Sequence, residues 1–155
     1  MPKKTKEMQY FEAIGRRKEA VSRVRLYIIG KDKTATVEAE GTKTKVKAGD
    51  MLVNRKPLVE FFSSEYEQKR CMLPFELTNT QGRFAVSVLL SGGGKHGQLE
   101  ATILGIARAL NIADRDTFRP VLKSNNLLTR DARARERRKV GHAGKARKKK
   151  QSPKR

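Results

Sequence analysis

"RFAVSVLLSGGGKHGQLEATILGIARALNI", residues 83–112, joins the clearest strand of the chain to its clearest helix through a run of glycines. Phe84, Val86, Val88 and Leu90 lie on one side of a period-2 pattern, with Ala85, Ser87 and Leu89 on the other. Because both sides are largely apolar, a central strand is expected. Leu99, Ile103, Ile106, Ala107 and Leu110 then recur at the spacing of one helix face. The glycines between allow backbone to approach a ligand closely. The helix behind them offers unpaired N–H groups and a positive dipole end to an anion, and Lys95 adds a charge. Two readings stand: a flexible turn, or a phosphate site formed by Gly92, Gly93, Gly94 and Lys95. The second implies that Gly93→Val weakens anion binding while the core stays folded. A nucleotide P-loop is excluded, because Leu89 and His96 occupy positions where it needs Gly and Ser or Thr.

Upstream, "YFEAIGRRKEAVSRVRLYIIG" (10–30) reads as two strands around a turn carrying Arg16, Arg17 and Lys18. In the second strand Val24, Leu26 and Ile28 alternate with Arg23, Arg25 and Tyr27, giving a buried face and a basic face. Arginines at alternate positions can be solvated or can make a regular row of phosphate contacts. "TATVEAEGTKTKVKAGD" (34–50) predicts two weak strands around Gly41, and "KPLVEFFSSEYEQ" (56–68) a helix with Leu58, Phe61 and Phe62 on one face. A last helix is expected with Asp116 as N-cap and Phe118, Val121 and Leu122 as its apolar residues. The order β-β-β-β-α-β-α-α-tail makes the class α+β, with a globule over residues 10–129 after a basic lead of residues 1–9.

The chain has 155 residues, with 36 Lys plus Arg against 16 Asp plus Glu, a net of +20. That field attracts polyanions. Residues 130–155 hold 13 basic and 2 acidic residues. "RDARARERRKVG" (130–141) can begin as a helical turn, with Arg133 and Arg137 at i, i+4 and Glu136 as the lone internal counter-charge. The last fifteen residues, "GHAGKARKKKQSPKR", contain no Ile, Leu, Val or aromatic residue. Such a tail cannot build a core. Lys145, Arg147, Lys148, Lys149 and Lys150 suit threading along phosphates with release of counterions, and the lack of aromatics argues against base stacking. That combination points to a structured RNA.

The single cysteine, Cys71, allows no internal disulfide and is expected to be packed rather than reactive, which suits a reducing compartment. No apolar run reaches the ~18 residues of a membrane span, and no signal peptide is readable, so the cytoplasm is the expected location. His96 and His142, the only histidines, have no metal-ligand spacing around them, and no catalytic constellation is legible. No enzyme activity, cofactor or metal is expected. A DNA-binding architectural protein is the alternative, and a small-molecule kinase would need a phosphate loop with an acidic partner, which is not readable.

Three motifs in order, "GRRKEAVSRV" (15–24), "GGGKHGQLEATILGIARAL" (92–110) and "LLTRDARARERRKVG" (127–141), make the chain resemble the family of small-subunit ribosomal protein nine in its bacterial form. The resemblance implies a small single domain with a mixed sheet, a left-handed βαβ crossover like that of the second domain of small-subunit protein five, and a long basic C-terminal extension over residues 130–155. It implies binding to small-subunit rRNA in the subunit head, among neighbouring ribosomal proteins, with the tail reaching toward the anticodon stem-loop of the peptidyl-site tRNA. By that resemblance Arg16, Arg17, Lys18, Gly92, Gly93, Gly94, Lys95, Arg130, Arg133, Arg137, Arg138 and Lys139 face rRNA, and Lys154 and Arg155 face tRNA. Two departures stand out. The chain ends "QSPKR", where bacterial members usually close with an aromatic residue and then Ser-Lys-Arg, and the hairpin segment around residues 31–50 is longer than expected.

Overall fold

The computed structural model describes residues 10–29, 34–39 and 42–148. Within them the elements run β1 (Tyr10–Arg17), β2 (Ala20–Ile28), β3 (Thr34–Ala39), β4 (Thr42–Lys47), β5 (Met51–Val53), β6 (Lys56–Pro57), α1 (Leu58–Phe61), α2 (Glu65–Leu77), β7 (Phe84–Ser91), α3 (Lys95–Ala113) and α4 (Arg115–Ser124). Five strands form one mixed sheet in the order β1-β2-β7-β5-β6. β7 is central, as its two apolar faces require. It pairs antiparallel with β2 and parallel with β5. The parallel pairing makes α1 and α2 the crossover of a β-α-β unit. The class is α+β.

One face of the sheet carries the helices. Val24, Leu26, Val86, Val88 and Leu90 meet Ile103, Ile106 and Leu110 of α3, Cys71 and Phe75 of α2, and Phe118 and Leu122 of α4 in one apolar core. Truncating any of its large aliphatic side chains to Ala is expected to cost about 2–5 kcal/mol. α3 lies unusually close to β1 and β2. A Cβ on Gly15 would fall 1.9 Å from the Ala101 carbonyl oxygen, and one on Gly105 would fall 2.6 Å from Val24 Cγ2. Ser22 Oγ, fully buried in this seam, donates to the Ala101 carbonyl at 2.6 Å. Burial pushes the Cys71 thiol up to about 12, so it is protonated and inert at neutral pH, as expected of a packed cysteine.

The other face is covered at one corner by the separate β3–β4 hairpin. Val46 packs there on Tyr27 and Ala85, with Ile29 and Leu52 at the margin. This reverses part of the alternation expected in β2: Tyr27 is 4% exposed and Ile28 is 51% exposed. Gly41, at the expected turn of that hairpin, lies outside the described residues.

Four other expectations need correction. The helix expected over residues 56–68 is interrupted: α1 is a single turn, Phe62 is extended, and α2 starts only after Ser64. Leu58, Phe61 and Phe62 still pack against the core as one face. The N-cap of α4 is Asp114 rather than Asp116, its carboxylate accepting the Thr117 N–H at 3.2 Å. Ala113 already ends α3, so one extended residue serves as both linker and cap. β5 and β6 are too short for a periodic signal. They are joined by Asn54 and Arg55, both at positive φ, which is the pairing a two-residue primed turn needs. Finally, residues 130–139 form no helical turn. The Asp131 carboxylate instead accepts the Arg133 backbone N–H at 2.9 Å, a local bond that competes with helix formation.

Candidate nucleic-acid interface

The β1–β2 ladder pairs Arg17 with Ala20, so the tip of the hairpin is Lys18–Glu19, and Arg16 and Arg17 belong to the strand. Lys18 sits at φ 51 and is exposed, as is Arg16. The glycine run packs directly beneath this tip. Gly92 (φ +70) and Gly93 (φ +64) both need the left-handed region that favours glycine. A Cβ on Gly92 would lie 2.5 Å from the Glu19 carbonyl oxygen. One on Gly93 would lie 2.9 Å from Ala20 Cβ and 3.0 Å from its backbone nitrogen. Two of the three glycines are therefore required by packing against the hairpin. The expectation that Gly93→Val spares the core is withdrawn on this ground.

Gly94 is different. Its φ is −113°, and a Cβ there would meet nothing within 4 Å. It is the N-cap of α3, with no side-chain cap and no acidic residue in the first turn. The N–H groups of that turn and the dipole end therefore face outward next to exposed Lys95. The loop is held rigidly: Gln98 Nε2 donates to the Gly92 carbonyl at 3.1 Å. Asn54 also exchanges two hydrogen bonds with the Leu90 backbone, at 2.7 and 3.2 Å, where β7 runs into the loop.

The root of the tail reaches the same place. Leu127 and Leu128 pack on the core, and the chain then arrives at Arg17. Arg17 Nη2 lies 2.9 Å from Asp131 Oδ2, and Nη1 donates to the carbonyls of Asp131 (3.3 Å) and Arg133 (2.9 Å). Asp131 also pairs with the Arg133 guanidinium, at 2.6 Å at the shortest. The Arg133 hydrogen bonds hold the Asp131 carboxyl well below the usual carboxylate range, and the nearby Arg17 charge adds to this. Of the expected cations at this end, Arg16, Lys18, Lys95 and Arg130 are exposed and have no ion pair among the described residues. Arg17 and Arg133 instead are engaged by Asp131.

Further along, Arg137, Arg138, Lys139, Lys145 and Lys148 are exposed. Glu136 pairs with Arg147 at 2.6 Å, and three backbone bonds among residues 139–145 close a tight turn. Lys149, Lys150, Lys154 and Arg155 lie outside the described residues, as does the basic lead. The basic row of β2 is largely neutralised: Arg25 Nε bonds Glu12 at 2.7 Å, and Arg23 lies 3.7 Å from the same carboxylate. No group of three or more His, Cys, Asp or Glu able to hold a metal occurs among the described residues, and no described helix is long and apolar enough to cross a membrane.

A model of the ribosomal protein S9/S16 family matches residues 15–155, which contain every element of this interface. The chain belongs to that family. It is 43% identical over 127 residues to small ribosomal subunit protein uS9 of Bifidobacterium animalis subsp. lactis, an alignment covering 82% of this chain and 67% of that protein. With the protein of the same name from Renibacterium salmoninarum it shares 40% over 129 residues, 83% of this chain and 66% of the relative. With that from Maridesulfovibrio salexigens it shares 42% over 140 residues, 90% of this chain and 92% of the relative. The chain thus spans about two thirds of the first two relatives and nearly all of the third. S9/S16 membership matches the family named from the three sequence motifs. Those motifs contribute the hairpin tip, the glycine run and the tail root, which the fold brings to one end of the domain. Sequence reasoning singled out Arg17 as an RNA-facing cation and missed its clasp on Asp131. The available signal was Asp131, the first of two acids set in a run of arginines.

Proposed function

We propose that this protein is a structural constituent of the small ribosomal subunit that binds rRNA in the subunit head through the hairpin–glycine end of its globule. One observation carries the reading: the exposed Arg16 and Lys18, the uncapped N-terminus of α3 with Lys95, and the start of the basic tail converge there. Backbone N–H groups and cations on a rigid scaffold suit phosphate oxygens, which position a protein on RNA without reading its bases. Gly92, Gly93 and Gly94 shape the surface, and Arg130, Arg137, Arg138 and Lys139 continue it. Arg17 and Arg133 serve mainly by setting the direction in which the tail departs.

In this reading residues 10–129 are the rRNA-binding globule and 130–155 an extended basic tail. Lys145, Arg147 and Lys148–Lys150 follow rRNA phosphates, and Lys154 and Arg155 reach the anticodon stem-loop of the peptidyl-site tRNA. The β5–α1–α2–β7 crossover has the left-handed sense of the family, and the protein acts without enzymatic chemistry in cytoplasmic ribosomes beside other head proteins. Family membership favours this reading over the DNA-binding alternative. Sedimentation in moderate salt tests it. The chain should travel with the small subunit and be released by RNase but not by DNase; release by DNase, or failure to co-sediment, would overturn it.

A further inference from the structure

α4 presents Arg115, Arg119 and Lys123 at i, i+4 and i+8, all exposed. Their Cα atoms step about 6 Å apart along the helix axis. None of them has an ion pair among the described residues. α2 makes the contrast: its Lys69 pairs with Glu65 at 2.7 Å and its Arg70 with Glu100 at 2.9 Å, the pattern of a solvated, self-neutralised face. α4 has one acid, Asp116, besides its cap. Arg115 also stands in the first turn, where a cation opposes the helix dipole. This placement is unfavourable for the isolated helix and acquires a purpose if an external anion lies against it.

The row is rigidly mounted. Phe118 and Leu122, on the flank of α4 that adjoins the row, are 5% and 0% exposed, and Asp114 caps the helix. Arg83 extends the basic surface at the same end. Its guanidinium stacks on Phe84 at 5.4 Å, and its charge helps to lower the Asp114 carboxyl, after the hydrogen bonds from Thr117. Arg115 follows the last residue of α3 by two positions, while Lys95 is that helix's first residue. Nineteen helical residues separate the two ends by about 28 Å, too far for one phosphate group to meet both.

We propose that Arg115, Arg119 and Lys123 form a second RNA-phosphate contact, separate from the glycine end, so that the globule braces two strands of structured RNA. The proposal rests on the rRNA reading above and extends it to a surface which that reading leaves unused. RNA is favoured over an acidic protein because α4 exposes no aromatic and only one large apolar side chain, Val121 at 37%. Protein interfaces are depleted of charge at their core and enriched in aromatic residues.

The test uses the full chain carrying Arg115→Gln, Arg119→Gln and Lys123→Gln, with protein-free small-subunit rRNA as the probe. Filter binding across a salt series should show the log–log salt slope reduced by about 2–2.7, at about 0.7–0.9 per phosphate contact. Hydroxyl-radical footprinting should lose one protected rRNA segment and keep the segment that depends on Arg16 and Lys18. Arg115→Lys with Arg119→Lys should restore slope and footprint. Should the triple variant lose helix content by circular dichroism, Arg119→Glu alone supplies the comparison. An unchanged slope and footprint overturn the proposal. So does unchanged rRNA binding with loss of co-assembly with another subunit protein, which would make the row a protein contact. If the unaltered chain fails to bind the rRNA, the rRNA reading falls and this proposal with it.

Discussion

The guanidinium of Arg17, at the end of β1, grips Asp131 at the root of the tail: Nη2 to Oδ2 is 2.9 Å, and the two residues are 114 positions apart. Only 16% of the Arg17 side chain is exposed. A cation at the end of a globule strand is thus used to fix where the tail begins. Arg17→Met keeps the aliphatic stem and removes the clasp. The core should melt within a few degrees of the unaltered protein, since pairs near the surface contribute about 0–1 kcal/mol. The heteronuclear NOE of residues 131–135 should fall. Unchanged NOE values would mean that something else holds the tail root.

The same clasp has a pH signature. Hydrogen bonds from Arg133, then the charges of Arg133 and Arg17, depress the Asp131 carboxyl in the folded state. A depressed folded value means that the contribution is present above the unfolded value, near 3.9, and is lost only as the pH falls through the folded one. Acidification to about pH 3.5 should therefore leave Asp131 ionised while ordinary exposed aspartates are mostly protonated. Carboxyl carbon shifts of Asp131 through a titration check this, and a midpoint near 4 would show the clasp open in solution.

Gly15 and Gly94 should respond unequally to a methyl group. Gly15→Ala drives a Cβ to 1.9 Å from the Ala101 carbonyl oxygen and 2.6 Å from the Gly105 nitrogen, both backbone atoms. Urea unfolding should register a loss of roughly 3 kcal/mol or more, at the severe end of overpacking effects. Gly94→Ala meets open space and should lose only the N-cap preference of glycine over alanine, about 1 kcal/mol or less. Equal midpoints for both variants would contradict the close approach of α3 to β1.

These residues also mark what the sequence could and could not reveal. β7 and α3 were legible because each sustains its own hydrophobic period over a full element. α2 was legible only at its start. Pro74 and its mix of charged and apolar residues blur the helical repeat, and Phe62 breaks the chain where the periodicity ran on. The burial of Tyr27 depends on Val46, contributed by a different sheet, so no pattern within β2 could announce it. The glycine run stands out in the sequence by its position between strand and helix, and the structure packs it against the β1–β2 turn. Which glycines serve packing and which one lies open depends on Glu19 and Ala20, more than seventy residues away. The Arg115, Arg119 and Lys123 row was present in the sequence as i, i+4, i+8 spacing and was passed over for the denser charge of the tail.

The central claim is that the start of α3 holds RNA phosphate, and Gly94→Asp tests it most directly. Aspartate is a preferred N-cap and favours the helix dipole, so the fold should be as stable as before or gain about 0.3–1 kcal/mol. A carboxylate there also takes the first-turn N–H groups and repels phosphate. If that turn contacts rRNA, affinity of the folded variant for protein-free small-subunit rRNA should fall about tenfold or more, a change of roughly 1.4 kcal/mol. A folded Gly94→Asp protein that binds the rRNA as tightly as the unaltered chain would reduce the glycine run to a turn and contradict the account.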